Sequence, residues 1–312
     1  MGPVTTSADG PAIGLDIGAT KTLGVVLDAE GRVLAQVREA TEPGADGVVR
    51  TAELVVAQLR AATEGVPTTS VGVGIPGLVD VEHGIWKHAV NLAVTDDRVP
   101  VRAELESRLG VRVAVENDVN VATLGAVALT GIRDLVYLSI GTGLAAGLVL
   151  DGALRRGATG AAGEIGHVPI DPHGAVCQCG QRGCLETVAS GRALADAWHP
   201  TGSSRGDEPP AQALFAAAAA GDPRAVEVRD RFAAGVADAV RTLCLAVDPA
   251  TIVLGGGVSH LGAPLVEAVS DALRAQAASS PFLASLDLAG RVRVVPDDQP
   301  VAAIGAALLG RP

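Results

Sequence analysis

Residues 13–28 read IGLDIGATKTLGVVLD and residues 136–151 read VYLSIGTGLAAGLVLD. Aligned without gaps, they share Leu, Ile, Gly, Gly, Val, Leu and Asp at equivalent places. Each holds two apolar runs around a glycine turn, the pattern of a tight β-hairpin. Two readings follow. Any two glycine-turn hairpins look alike; alternatively, a module is duplicated and each copy opens one half of a two-lobed molecule. Two such hairpins facing each other across a cleft would suit a polyphosphate.

Outward from the first hairpin, a third strand is expected over 33–37, a helix over 47–64 and a buried strand over 71–75 ended by Pro76-Gly77. A helix over 101–109 and a strand over 111–115 lead into Asn117-Asp118 and a helix over 119–129. After the second hairpin (135–140 and 144–150), residues 157–186 are rich in Gly, Pro and Cys and lack periodicity. Helical spacing returns over 191–198, 209–220, 222–246, 263–277 and 300–309, with strands at 251–254 and 292–295. Alternating strands and helices give the α/β class. Residues 1–11 read as a disordered tail, 12–114 as a small N-terminal lobe joined by 300–312, and 115–299 as a large lobe. Gly202 to Pro210 reads as a flexible loop.

The chain has 312 residues and a formal net charge of -11, from 24 Lys and Arg against 35 Asp and Glu. That field repels nucleic acid, and no basic patch offsets it. The hydrophobic share of 48% supplies a full core. Three Phe, two Trp and one Tyr leave that core aliphatic and give little material for stacking platforms. The N-terminus lacks the basic and apolar regions of a signal peptide. The longest uncharged stretches are too short or too broken by glycine to span a bilayer. A cytoplasmic location with no membrane partner is expected.

Three kinds of motif carry chemistry: glycine turns, a strand-to-helix Asn-Asp junction and a cysteine cluster. The first turn, Asp16 to Lys21, offers backbone N–H groups around Gly18 and Ala19, the Thr20 hydroxyl and the Lys21 cation, a nest for anions. Asp16 at the strand end suits a hydrated Mg²⁺ beside phosphates. The second turn, Gly141-Thr142-Gly143, has the same physics, and Gly255-Gly256-Gly257 follows a β-branched strand, where bare glycines let a base or ribose approach. Asn117-Asp118 stands at a strand-to-helix junction: Asp118 is either an N-cap or a general base that takes a proton from an attacking hydroxyl.

The third motif is Cys177-x-Cys179-x4-Cys184 preceded by His167. Three thiolates and an imidazole make a closed four-coordinate zinc site that would order the loop 167–184. A disulfide is the alternative, and His173 is an alternative fourth ligand. Cys244, in an apolar helix, reads as a buried small hydrophobe. Glu164, His167 and Glu186 flank the cluster, where carboxylates could accept hydrogen bonds from sugar hydroxyls.

Asp16–Lys21, the END-x-N segment 116–120, IGTG at 140–143, GEIGH at 163–167, C-x-C-G-x2-G-C-x-E at 177–186 and LGGGV at 254–258 together resemble the ROK family of repressors, open reading frames and sugar kinases. The resemblance covers nearly the whole chain after residue 11. It implies an actin-like (ribonuclease H-like) ATPase fold with ATP and sugar meeting in a cleft between two lobes. By that resemblance Asp118 is the catalytic base, and Asn117, Glu164, His167 and Glu186 are sugar ligands. His167 would bind zinc through one ring nitrogen and face a sugar hydroxyl with the other. Asp16 and the two turns form the ATP and Mg²⁺ site, Gly255 to Gly257 the adenosine site, and Gly77 and Asn91 lie near the sugar.

The sequence departs from the glucokinase pattern at Leu144-Ala145-Ala146 and after Asn91, which bears on the sugar more than on the reaction. The expected activity is transfer of the γ-phosphoryl group to the 6-hydroxyl of glucose or a close analogue, such as a kanosamine-like amino sugar or a C7 cyclitol. Homodimers and use of polyphosphate occur among relatives. The other reading is a sugar-sensing transcriptional regulator, which would need a winged-helix segment. Only about a dozen residues precede Ile13, so the kinase is expected.

Overall fold

The computed structural model describes residues 10–64, 66–87, 89, 92–94, 98–198, 208–295 and 299–311. The chain divides into two compact units. Unit 1 comprises residues 1–131, 154–161 and 300–312, and unit 2 comprises 132–153 and 162–299. The division thus falls after Gly131 rather than after residue 114. The helix that follows Asn117 packs on the first sheet, and a short arm at 154–161 also belongs to unit 1.

Unit 1 begins with β1 (Ala12–Ile17), β2 (Lys21–Leu27) and β3 (Val33–Ala40), followed by α1 (Ala45–Ala62) and β4 (Ser70–Ile75). A small hairpin, β5 (Leu78–Asp80) and β6 (Ile85–Lys87), precedes α2 (Val101–Leu109), β7 (Arg112–Asn117) and α3 (Asp118–Thr130). The hairpin β5–β6 escaped the periodicity because three-residue strands have no period to read. The main sheet has the order β3-β2-β1-β4-β7, antiparallel on the β3-β2-β1 side and parallel from β1 to β7. Every residue of β4 is buried, as expected of a parallel strand covered on both faces. Val48, Ala52, Val55, Val56 and Leu59 of α1 pack onto it with Ile13, Leu15 and Val73.

Unit 2 repeats the plan with β8 (Leu135–Ile140), β9 (Leu144–Leu150) and β10 (Ala153–Leu154). Then come α4 (Glu186–Ala189), α5 (Gly191–Trp198), α6 (Pro210–Ala219), α7 (Pro223–Val247), β11 (Thr251–Gly255), α8 (Ala263–Ala277), α9 (Pro281–Ser285) and β12 (Val292–Val294). The sheet order is β10-β9-β8-β11-β12, so β8 takes the central place that β1 takes in unit 1. In both sheets the hairpin is antiparallel and the remaining pairs beyond the central strand are parallel. Residues 202–207 of the expected loop lie outside the described residues, and α6 begins at Pro210.

The last helix, α10 (Val301–Gly310), returns to unit 1. It lies against β1, β4 and α3 through glycines: a Cβ on Gly14, Gly72 or Gly125 would collide with the backbone of Ala303, Ala306 or Val301. The expectation that 300–312 joins the N-terminal unit therefore rests on a seam of small residues that no larger side chain would fit. No helix among the described residues is long and apolar enough to cross a membrane.

Candidate active site

In unit 1 the polar residues collect at the carboxyl ends of three neighbouring parallel strands, where open α/β sheets bind ligands. Asp16 pairs in register with Gly74, Gly74 with Glu116, and Ile75 with Asn117. Asn117, not Asp118, is the N-cap of α3. Its Oδ1 accepts from Val119 N at 2.9 Å and Asn120 N at 3.3 Å, while its Nδ2 donates to Gly77 O at 3.1 Å. With the cap supplied by its neighbour, Asp118 is the first helical residue. Its Oδ1 accepts from Val119 N at 3.0 Å. A carboxylate in a first helical turn is stabilised by the helix dipole.

Beneath this junction lies Glu116, with 1% of its surface exposed. Its Oε1 accepts from Asn117 N and Asn120 Nδ2, both at 2.9 Å. Its Oε2 accepts from Arg156 Nε at 2.5 Å. A buried carboxylate survives only when paired and hydrogen-bonded, and here both oxygens are used. Glu116 thus ties the β7–α3 junction to the 154–161 arm. Neither it nor Arg156 stood out in the sequence as a site residue. Glu116 opens the END-x-N segment but carried no assigned role there, and Arg156 gave no signal.

Asp16 faces Asp118 and Lys21. Burial, then the charge of Asp118, push its carboxyl up to about 7 against the opposing pull of Lys21. Two carboxylates held this way suit a divalent cation, whose charge favours both ionised forms. The turn beside them is closed by Gly18 N donating to Lys21 O at 2.9 Å, and Ala19, Thr20 and Lys21 are exposed. Asn91 lies outside the described residues.

In unit 2 the second turn is closed by Gly141 N donating to Gly143 O at 3.0 Å. Glu186, at the start of α4, reaches back so that its Oε2 accepts from Leu144 N at 3.0 Å. The third glycine cluster serves packing more than was expected. A Cβ on Gly255 would strike the Tyr137 ring, and one on Gly256 would strike the Ile140 backbone. Gly257 alone of the three has open space. Tyr137 OH accepts from Gly256 N at 3.3 Å, holding the cluster beside β8.

The cysteine loop brings one atom each of His167, Cys177, Cys179 and Cys184 within 4.8 Å of one another. Cys179 Sγ lies 3.7 Å from Cys184 Sγ, and Cys177 Sγ lies 3.8 Å from His167 Nδ1. A tetrahedron with zinc–sulfur bonds of about 2.3 Å has an edge of roughly 3.8 Å, so the donor set fits a zinc ion. All four cysteines are free, and His173, exposed, stands outside the cluster. The backbone N–H and side-chain amide of Gln181 draw the Cys179 thiol down to about 6, whereas burial drives Cys184 up to about 12. A buried thiolate needs a compensating cation, which a zinc ion would supply.

The loop's own hydrogen bonds preform the cluster. Cys177 N donates to Gln181 O at 2.7 Å, Gln181 Nε2 donates to His167 O at 3.2 Å, and Pro169 bridges to Cys184. His167 turns Nδ1 toward the thiols and Nε2 toward Glu164 Oε2, 3.8 Å away. The ring that would ligate the metal therefore also faces a carboxylate, the arrangement expected when a structural metal orients polar ligands. Glu164 and His167 come together in this way, and Glu186 joins the second turn instead.

A model of the ROK family matches residues 12–311. The glucokinase of Thermotoga maritima is 34% identical over 279 residues, 83% of this chain and 87% of that protein. A ROK hexokinase from Thermus thermophilus superposes with a TM-score of 0.79 at 33% identity, covering 96% of this chain and 97% of that one. A ROK glucokinase from Streptomyces griseus, solved with glucose and AMPPNP, superposes with a TM-score of 0.80 at 32% identity, covering 96% and 99%. ROK sugar kinases have the actin-like ATPase fold, and the two like sheets described above are its repeated cores. The chain belongs to the ROK family.

Proposed function

We propose that the chain is an ATP-dependent hexose kinase acting on the 6-hydroxyl of glucose or a close analogue. The observation that carries this reading is Asp118: a carboxylate at a helix start, relieved of capping by Asn117 and electrostatically coupled to Asp16. In this reading Asp118 takes the proton from O6 as O6 attacks the γ-phosphorus. The bond from that phosphorus to the β,γ-bridging oxygen breaks, and ADP leaves with the electron pair. Asp16 would hold Mg²⁺, which neutralises phosphate charge when bound. Gly18 to Lys21 and Gly141 to Gly143 supply N–H groups, a hydroxyl and a cation to the phosphates. Gly255 to Gly257 receive the adenosine, with Gly257 as the open position.

Asn117, Glu164, His167 and Glu186, with Gly77 and Asn91, are assigned to the sugar. Zinc on His167, Cys177, Cys179 and Cys184 is assigned the structural role of holding Glu164 and His167 in place; the donor geometry supports it. The relatives favour glucose over the amino-sugar and cyclitol options. The homodimer common in the family is part of the same reading, tested by sedimentation. A coupled assay of ADP release across glucose, mannose, N-acetylated hexosamines, 3-amino-3-deoxyglucose and C7 cyclitols tests the proposal. Glucose turnover is expected, and release of ADP with none of these acceptors would overturn it.

A further inference from the structure

Beside the second phosphate turn, unit 2 holds a cavity of about 260 Å³. Its walls include Thr142, Cys177, Gln178, Ser190, Arg192 and Asp196. Arg192 lies in the first turn of α5 and is half-buried. Among the described residues it has no hydrogen-bond or ion-pair partner. Arg229, Arg241, Arg274 and Arg291 of this unit each hold an aspartate, while the side chains of Arg133 and Arg231, like that of Arg192, have no partner among the described residues, and of these three only Arg192 lines the cavity. Asp196 stands four residues further along α5, at a spacing that allows an ion pair, and makes none; the order Arg before Asp is the weaker orientation for such pairs. Glu186, the other carboxylate on the cavity, is engaged with Leu144 N.

The position of Arg192 relative to the turn is fixed by backbone. Gly191 N donates to Gly141 O at 2.8 Å, and a Cβ on Gly191 would lie only 2.7 Å from that oxygen, so only glycine permits the approach. Ser190 Oγ accepts from Ala193 N at 3.1 Å and steadies the same turn of helix. A guanidinium without a carboxylate among the described residues, lining a cavity, leaves its N–H donors available to an anion. Guanidinium groups match phosphate oxygens with paired N–H donors.

We propose that Arg192 and Thr142 form a phosphate seat that binds the phosphoryl donor in unit 2, through a phosphate of ATP or of an inorganic polyphosphate chain. The seat adds to the second glycine turn a charged contact that Gly141-Thr142-Gly143 does not contain. It rests on the kinase reading for its place in the reaction, but its occupancy is measurable without turnover.

The test is calorimetric titration of wild type, Arg192→Ala and Arg192→Lys with Mg·ATP and, separately, with tripolyphosphate, beside steady-state kinetics with glucose. Arg192→Ala is expected to weaken donor binding and raise the donor KM about tenfold, with the sugar KM and melting temperature unchanged. Arg192→Lys, which keeps the charge, should lose less than half of that factor. Loss confined to ATP assigns the seat to the nucleotide, and a parallel loss for tripolyphosphate extends it to polyphosphate chains. An Arg192→Ala donor affinity within twofold of wild type overturns the seat, as does a wild type that binds neither donor. A wild type that binds donor through Arg192 yet phosphorylates no hexose overturns the kinase reading and leaves the seat standing.

Discussion

In unit 1 the polar groups at the strand ends are held by neighbouring backbone and by one another. Asn117 caps α3 and clamps Gly77, while Glu116 supports both Asn117 and Asn120 and is itself held by Arg156. In unit 2, built on the same strand order, Glu164 and His167 sit on a loop with a single 3-10 turn at 165–167, ordered around a Cys/His cluster. One unit fixes its side chains through a helix cap and a buried ion pair, the other through a loop folded around a Cys/His cluster that could hold a metal. The difference follows from where the residues stand. Strand ends and helix starts come with rigid backbone, whereas an aperiodic loop needs an added cross-link.

The comparison can be broken most sharply at Asp118. Asp118→Asn keeps the shape and the contact with Val119 N but removes the base, and kcat should fall about 10³-fold while sugar binding persists. Steady-state rates together with sugar titration check this, and an unchanged kcat would remove Asp118 from the mechanism. Next is Glu116→Gln, which keeps an acceptor for Asn117 and Asn120 and strips the charge from the partner of Arg156. Breaking this pair, half of it partly exposed, should cost about 2 kcal/mol in urea unfolding and also lower kcat, because the base loop loses its support.

Cys184→Ser acts on unit 2 alone. Zinc content should fall below about half an equivalent per chain, and the sugar KM should rise roughly tenfold or more while the donor KM holds. A rise in both constants would mean that the cluster supports the whole unit rather than the sugar ligands. The smallest effect is a control for capping itself. Asp222 caps α7, accepting from Arg224 N at 2.9 Å and Ala225 N at 3.1 Å. Asp222→Ala should cost about 1 kcal/mol of stability with kinetics untouched, in contrast to the functional cap at Asn117.

The long elements were legible because their periodicity is strong. Helices 101–109, 191–198 and 263–277 and strands 12–17, 135–140 and 144–150 lie where the apolar spacing placed them. The hairpin β5–β6 and the short helices α4 and α9 were not, since three to five residues carry no period. The cysteine cluster was legible through spacing, because ligand separation along the chain limits the loop that can close on a metal. A packing role for Gly255 and Gly256 was not legible: the sequence shows three small residues but not the Tyr137 ring and Ile140 backbone that make smallness necessary. That Asn117 rather than Asp118 caps α3 was not legible, because adjacent Asn and Asp are equally good caps and only the backbone angle chooses between them.

By itself the sequence determined the strand–helix alternation, the hairpin repeat, the glycine turns and the Cys/His cluster. Each of these is written in local spacing, where the physics acts over a few residues. The tertiary structure alone decided that α3 and the 154–161 arm join the first unit, that Arg156 pairs with Glu116, and that Arg192, without a partner among the described residues, shares a cavity with Thr142. Those outcomes depend on contacts between residues far apart in the chain, and whether a charge finds its partner is settled only when the backbone has brought both to one place.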